Sequence, residues 1–258
     1  MTKGSVKYEY HKNAKDYFEK MCLRETSNLM QTDPEFAERL YNFAFDEVVN
    51  EPGMGLDDKT RFMAILSTLL GCQGLDAYKQ QAEAALNFGL TPVELKEIVY
   101  QAVDYLGIGR VYPFLIVTNE ILTQKGVALP LENQATITME NRLGKGVQAQ
   151  VDIFGDDMKG FYKKSHINRW LAANCFGDYY TRTGLNYKQR EMITFCFLAA
   201  QGGCEVQLTS HAAGNMRIGN DKDFLMRVVS QCVPYIGYPR SLNAITCINN
   251  AAKSMEEN

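Results

Sequence analysis

Three side chains in the second half of the chain are of types that move protons or act as nucleophiles: Glu191, Cys204 and His211. His211 is one of only three histidines, and imidazole is the side chain best suited to proton transfer near neutral pH. If a helix starts after Gly202-Gly203, Cys204 and His211 lie seven residues apart, nearly on one face and about 10 Å apart along the axis. That is too far for direct contact but leaves room for a substrate or a third side chain. Glu191 is one predicted helix upstream, and antiparallel packing through the Gly-rich turn would bring it over either residue. In the first turn of its helix Cys204 would meet free backbone amides and the positive end of the macrodipole, which lower a thiol pKa. Dithiol redox chemistry asks for a second cysteine three residues on, and Gln207 stands there. The bland alternatives are a histidine satisfied on a helix face, an inert small residue and a solvated acid.

An anionic substrate would also need a cation. Arg61, Arg110, Arg190, Arg217 and Arg240 could each bind a carboxylate in bidentate fashion, although at least three of the five should be ordinary surface residues. Arg240 follows the helix break Tyr235-Ile236-Gly237-Tyr238-Pro239, where backbone donors are free, and together with Arg217 it is the favoured anion contact. His11 and His166 read as structural. Trp170, Cys175 and Tyr179 read as core or interface.

The elements that must position these groups are helices. Asp33-Pro34-Glu35 is a cap, a first-turn proline and a first-turn acid, and Phe36, Leu40, Phe43 and Val48 follow at helical spacing, which predicts a helix over 34–50. Pro52 to Gly55 breaks the chain. Two further helices, LDDKTRFMAILSTLLG and AYKQQAEAALNFG, each stop at a glycine. Thr91-Pro92-Val93-Glu94 opens another that runs to about Tyr105, pauses at Gly107 to Arg110 and resumes to Lys125. VALPLENQATIT has no clear period, and RLGKGVQAQVDIFG offers one shorter helix.

The second half repeats the first. Gly55, Leu56, Lys59 and Arg61 recur as Gly184, Leu185, Lys188 and Arg190 at an offset of 129, and Gln101, Tyr105, Gly107 and Arg110 recur as Gln231, Tyr235, Gly237 and Arg240 at 130. Helical patterning alone recruits Leu and Ala rather than matched glycines, tyrosines and arginines, so a duplication is the better explanation. The expected architecture is all-α, with two tandem helical units packed about a pseudo-twofold axis. Its parts are a first unit with N-terminal helices at 1–130, a connector at 131–165, and a second unit at 166–258 that carries the site. His211 falls opposite Gln81, a neutral amide that cannot transfer protons near pH 7, so the first copy serves as structural partner to the second.

Composition narrows the function. Of 258 residues 46% are hydrophobic and 22% charged, enough for a sizeable core, and the formal net charge of −3 gives no reason to expect nucleic acid or an anionic membrane as partner. No window resembles a signal peptide or a membrane span, so a cytoplasmic protein is expected. Seven cysteines without a secretory signal argue against a disulfide scaffold. Neither a metal site nor a cofactor is called for.

GLNYKQREMITFCFLAAQGGCEVQLTSHAAGNMRIG with VVSQCVPYIGYPRSLNAI, and ALNFGLTPVELKEIVYQAVDYLGIGR in the first copy, resemble the carboxymuconolactone decarboxylase family, which includes the alkylhydroperoxidase D-like proteins. The resemblance runs from Asp33 onward and implies an all-α fold in a tandem two-copy form. Single-domain members assemble as trimers or hexamers, so a homotrimer of this chain, a pseudo-hexamer, is implied. In the decarboxylase branch the histidine matched by His211 takes part in proton transfer. In the peroxidase branch a glutamate, a Cys-x-x-Cys and a histidine map onto Glu191, Cys204, Gln207 and His211; Gln207 breaks that motif, and one extra residue separates acid and cysteine.

Three functions follow from the resemblance. The first is a cofactor-free lyase acting on a small carboxylated lactone or related cyclic acid, with His211 as general acid, Glu191 as its partner, and Arg240 or Arg217 on the carboxylate. The second is a thiol-dependent peroxidase using Cys204, resolved by Cys72, another subunit or an external thiol. The third is a non-catalytic family member with a vestigial pocket.

Overall fold

The computed structural model describes residues 9–21 and 29–257, and among these residues every regular element is a helix. Cys22 lies outside them. The first copy comprises α1 (Lys12–Met21), α2 (34–50), α3 (Asp58–Gly71), α4 (Leu75–Asn87), α5 (Pro92–Leu106) and α6 (Ile108–Gln124). The second comprises α7 (Arg142–Phe154), α8 (166–179), α9 (Tyr187–Gln201), α10 (Glu205–Arg217) and α11 (Lys222–Glu256).

The copies match in local chemistry as well as in order. Asp57 caps α3 by accepting from the Thr60 amide, and Asn186, at the equivalent place, caps α9 by accepting from the Gln189 amide. Thr91 and Glu94 form a reciprocal capping box at the start of α5, and Asp221 caps α11. Gly107, at φ 78°, divides α5 from α6, while Gly237, at φ 73°, puts a kink inside α11. An L side chain rarely adopts such a φ, which is why the glycine recurs in both copies. Both α2 and α8 contain π-wound turns, at Phe43–Glu47 and Leu171–Tyr179.

Helices α3 and α9, equivalent by the repeat, pack against each other at the centre, with α5 and α11 alongside. Their buried faces, including Phe62, Leu66 and Leu70 on α3 and Ile193, Phe197 and Leu198 on α9, form one core shared by both copies. This is the pseudo-twofold arrangement expected from the repeat. Helix α7 lies within the stretch read as a connector. It packs on α8 and α10, as α1 packs on α2 and α4, and so belongs structurally with the second copy. No helix among the described residues is long and apolar enough to cross a membrane.

Candidate active site

Three helices converge on the site because each places polar residues one turn apart on its inward face. On α9 these are Arg190, Glu191 and Thr194; on α10, His211 and Asn215; and on α5, from the first copy, Glu97, Gln101 and Tyr105. His211 Nδ1 lies 2.8 Å from Glu191 Oε2, and Glu191 has no exposed surface. Tyr180 donates to the other carboxylate oxygen at 2.7 Å, and its hydroxyl also lies 2.9 Å from Thr194 Oγ1. The Asn215 amide ties the two helices together, donating to the backbone carbonyls of Glu191 (2.9 Å) and His211 (2.8 Å).

The imidazole sits between two aromatic rings. Tyr105 and Phe154 each meet it edge-on, with centroids 5.5 and 5.3 Å away. The His211 side chain keeps 12% of its surface exposed, and among the described residues Nε2 has no hydrogen-bond partner. With Glu191 accepting at Nδ1, the free nitrogen is the one able to meet a substrate. Gly214, one turn beyond His211, permits the close approach of α7. A Cβ there would lie 2.7 Å from Phe154 Cε1 and 3.1 Å from Glu191 Oε2.

A buried ionic wall supports the acid. Arg190, with no exposed surface, donates to Glu97 at 3.0 Å and to Gln101 at 2.8 Å, and Arg182 bonds Glu97 through both Nε and Nη2. Gln101 in turn donates to the Arg190 carbonyl and to Thr194 Oγ1. Such burial of charge is sustained by pairing and by hydrogen bonds from both terminal nitrogens of Arg190, while its Nε has no hydrogen-bond partner among the described residues.

The remaining candidates fall elsewhere. Cys204 is the residue capping α10, with its sulfur 3.4 Å from the Leu198 carbonyl and 3.5 Å from the Gln201 amide. Burial, with the Glu205 carboxylate beside it, pushes the thiol above its ordinary range, the reverse of the lowering expected at a helix start. The sulfur accepts from none of the free α10 amides and turns to the Leu198 carbonyl instead, so desolvation outweighs the dipole. Gln207 is exposed on α10, and the six described cysteines are all free thiols.

Arg240 donates to the Ala200 carbonyl at the far end of α9, nine residues or roughly 13 Å along the helix from Glu191. Arg217 is exposed at the end of α10 against Gly155, beside Phe154. Arg61 and Arg190 are buried and Arg240 is part-buried, so Arg110 and Arg217 alone of the five are exposed, fewer than the three or more expected at the surface. His11 pairs with Asp46 and His166 packs on Trp170.

Sequence reasoning missed Tyr180, Phe154 and Cys175 as members of the site, and saw Tyr105 and Gln101 only as markers of the repeat. The π-winding of α8 explains why Tyr180 was hidden. Its amide bonds the Cys175 carbonyl five residues back, which brings Cys175 and Tyr180 to one face at a spacing that an α-helical period does not predict. In the first copy Phe62 stands where α9 has Glu191, in ring contact with Phe88 at 4.9 Å. Gln81 therefore has no acid at the equivalent place.

Taken together, the fold and site define an all-α protein of two fused helical units, one of which retains a buried Glu–His pair. The chain belongs to the carboxymuconolactone decarboxylase family, whose model matches residues 34–120 and 166–249, one segment in each copy. It is similar to the 4-carboxymuconolactone decarboxylase of Acinetobacter baylyi, 28% identical over 110 residues that cover 43% of this chain and 81% of that protein. The fold matches the crystal structure of a provisionally assigned gamma-carboxymuconolactone decarboxylase subunit from Burkholderia xenovorans. That match has a TM-score of 0.53 at 22% identity and covers 93% of this chain and 97% of the other.

Proposed function

We propose that the chain is a carbon–carbon lyase acting on a small carboxylated lactone or related cyclic acid, with His211 as its general acid. The observation that carries this reading is the His211–Glu191 contact, with Nδ1 held by a fully buried carboxylate and Nε2 left free. In the reaction the substrate's C–C bond breaks to release CO2, and the bonding electrons pass into the conjugated lactone as a dienolate. Imidazolium Nε2–H then protonates the ring carbon, and Glu191 stabilises and orients the imidazolium before transfer. The substrate's own conjugation accepts the electrons, so this step requires no cofactor. The partly apolar setting of Tyr105 and Phe154 strengthens the electrostatic interactions within it.

Arg217, exposed beside Phe154, is the cation we place on the substrate carboxylate; Arg240 is engaged at the other end of α9. The peroxidase reading is disfavoured by the raised Cys204 thiol and by the absence of contact between Cys204 and His211. The relative's name supplies the assay: 4-carboxymuconolactone is incubated with the protein and its loss followed by absorbance. Turnover abolished by His211→Ala supports the reading. Equal turnover by wild type and His211→Ala overturns it, and no turnover of any carboxylated lactone by the wild type favours a non-catalytic member.

We further propose assembly as a trimer of this two-copy chain. Ile108, Tyr112 and Ile116 form an exposed apolar stripe on α6, and Tyr238 and Leu242 repeat its first two positions on α11. Stripes shared by both copies suit a ring in which six similar units bury equivalent faces.

A further inference from the structure

We propose that Asp104 is the inner end of a buried proton relay running through Cys175, Tyr105 and Tyr180 to Glu191, and that this relay modulates the acidity of His211. The inference rests on the reading of His211 as the acid of the site. The links are contributed alternately by the two copies: Asp104 and Tyr105 by α5, Cys175 and Tyr180 by or just after the π-wound part of α8. The Tyr105 and Tyr180 hydroxyls are 2.8 Å apart, Cys175 Sγ lies 3.6 Å from the Tyr105 hydroxyl, and the Asp104 carboxyl faces the Cys175 thiol. The other oxygen of Asp104, Oδ2, is buried with no hydrogen-bond partner among the described residues. Buried polar atoms are seldom left so without a reason.

The direction of the chain follows from its outer end. Tyr180 donates to Glu191, so its oxygen accepts from Tyr105, whose oxygen accepts from the Cys175 thiol. The thiol sulfur is then left to accept from a protonated Asp104. Burial pushes the Asp104 carboxyl up to about 7; Asp178 reinforces the shift, while the Cys175 thiol and Arg190 oppose it. The groups facing Asp104 are therefore Cys175, Asp178 and Tyr179 from the α8 side and Arg190 from α9. Tyr105, Tyr180 and Cys175 are themselves held far above their ordinary ranges by burial, so they pass protons on without remaining ionised.

A concerted shift along the chain moves one proton per link. Asp104 gives its proton to Cys175, Cys175 to Tyr105, Tyr105 to Tyr180 and Tyr180 to Glu191 Oε1. Asp104 ends as a carboxylate and Glu191 as an acid, and Glu191 Oε2 still accepts from His211 Nδ1–H. The negative charge has moved from the histidine's partner to Asp104. Deprived of that counter-charge, the imidazolium releases its Nε2 proton more readily.

The test is the NMR titration of His211 in the full chain, identified among three histidines by its loss in His211→Gln. Wild type is expected to show two steps, one tracking Asp104 near pH 7, and Asp104→Asn a single step. Cys175→Ala is expected to lose the second step and Cys175→Ser, which keeps a donor, to retain it. That pair also decides the matter if Asp104→Asn fails to fold. A single step in wild type, or two unchanged steps in Asp104→Asn or Cys175→Ala, overturns the relay; persistence in Cys175→Ala would mean electrostatic coupling without proton transfer. Unimpaired turnover of 4-carboxymuconolactone by His211→Gln would remove the catalytic reading while leaving the measured coupling intact.

Discussion

His211 Nδ1 stands 2.8 Å from Glu191 Oε2, on a carboxylate that has no exposed surface and whose other oxygen takes the Tyr180 hydroxyl at 2.7 Å. Each group is held by a different helix, so the pair responds to changes in any of them.

Removing either member should lower kcat/KM without unfolding the chain. A positioned general acid contributes roughly 10²- to 10⁴-fold, so His211→Ala is expected to lose that much in the lactone assay. Glu191→Gln keeps the shape but not the charge, and about 10²-fold is expected from loss of the counter-charge alone. Steady-state rates with thermal melting of each variant check both values.

Asp104 should make stability depend on pH in a particular window. Its folded value, about 7, lies above the unfolded carboxyl value, so between about pH 4 and 7 the folded state holds the extra proton. Stability therefore falls as pH rises through that window and levels off above it. Asp104→Asn removes the effect. Urea midpoints should show the variant gaining on wild type by on the order of 2 to 4 kcal/mol at pH 8, with the gap shrinking toward pH 4. A gap that does not change with pH would contradict the assignment.

Gly214→Ala places a methyl group within 2.7 Å of Phe154 and 3.1 Å of Glu191. Overpacking of this kind costs about 1 to 3 kcal/mol, and relief must come from Phe154 or the carboxylate. Activity should fall together with melting temperature. A fully active, equally stable variant would show that α7 does not constrain the pair.

Cys204 should behave as an unreactive thiol. Its value is raised by burial, so iodoacetamide labelling should stay slow at pH 7 and accelerate only above the ordinary thiol range. Cys204→Ser should retain lactone turnover within about twofold, since the hydrogen bonds of its sulfur go to the end of α9 and not to His211 or Glu191. Rapid labelling at neutral pH would reopen the thiol chemistry.

The exposed stripes on α6 and α11 make a prediction for assembly. Tyr112→Glu and Leu242→Glu, at positions 56% and 59% exposed, should dissociate a trimer with little loss of helicity, because an unpaired charge in an apolar interface is costly. Sedimentation of wild type and both variants reads this directly; a monomeric wild type would rule out the trimer.

Much of this molecule is legible in one dimension because its determinants are local. The cap at Thr91, the stops at glycine, and the repeat of Gly107 and Arg110 as Gly237 and Arg240 rest on backbone geometry within a turn or two. They suffice for an all-α fold in two copies and for choosing His211 over Gln81. The partners of His211 were only partly readable. Glu191 was nominated from the helix upstream, but the face it shares with His211, and its separation from Cys204, depend on how α9 and α10 cross. The structure alone decided that Tyr105 reaches the second copy's site from the first and that α7 brings Phe154 in over Gly214. It also showed that the π-winding of α8 puts Cys175 beside Tyr180. Contacts between residues 70 or more positions apart, such as Cys175 with Tyr105, follow from packing the copies together, and no periodicity in the chain encodes them. The same holds for charge: burial, which is set only in three dimensions, raised Cys204 where its place near a helix start had suggested the opposite.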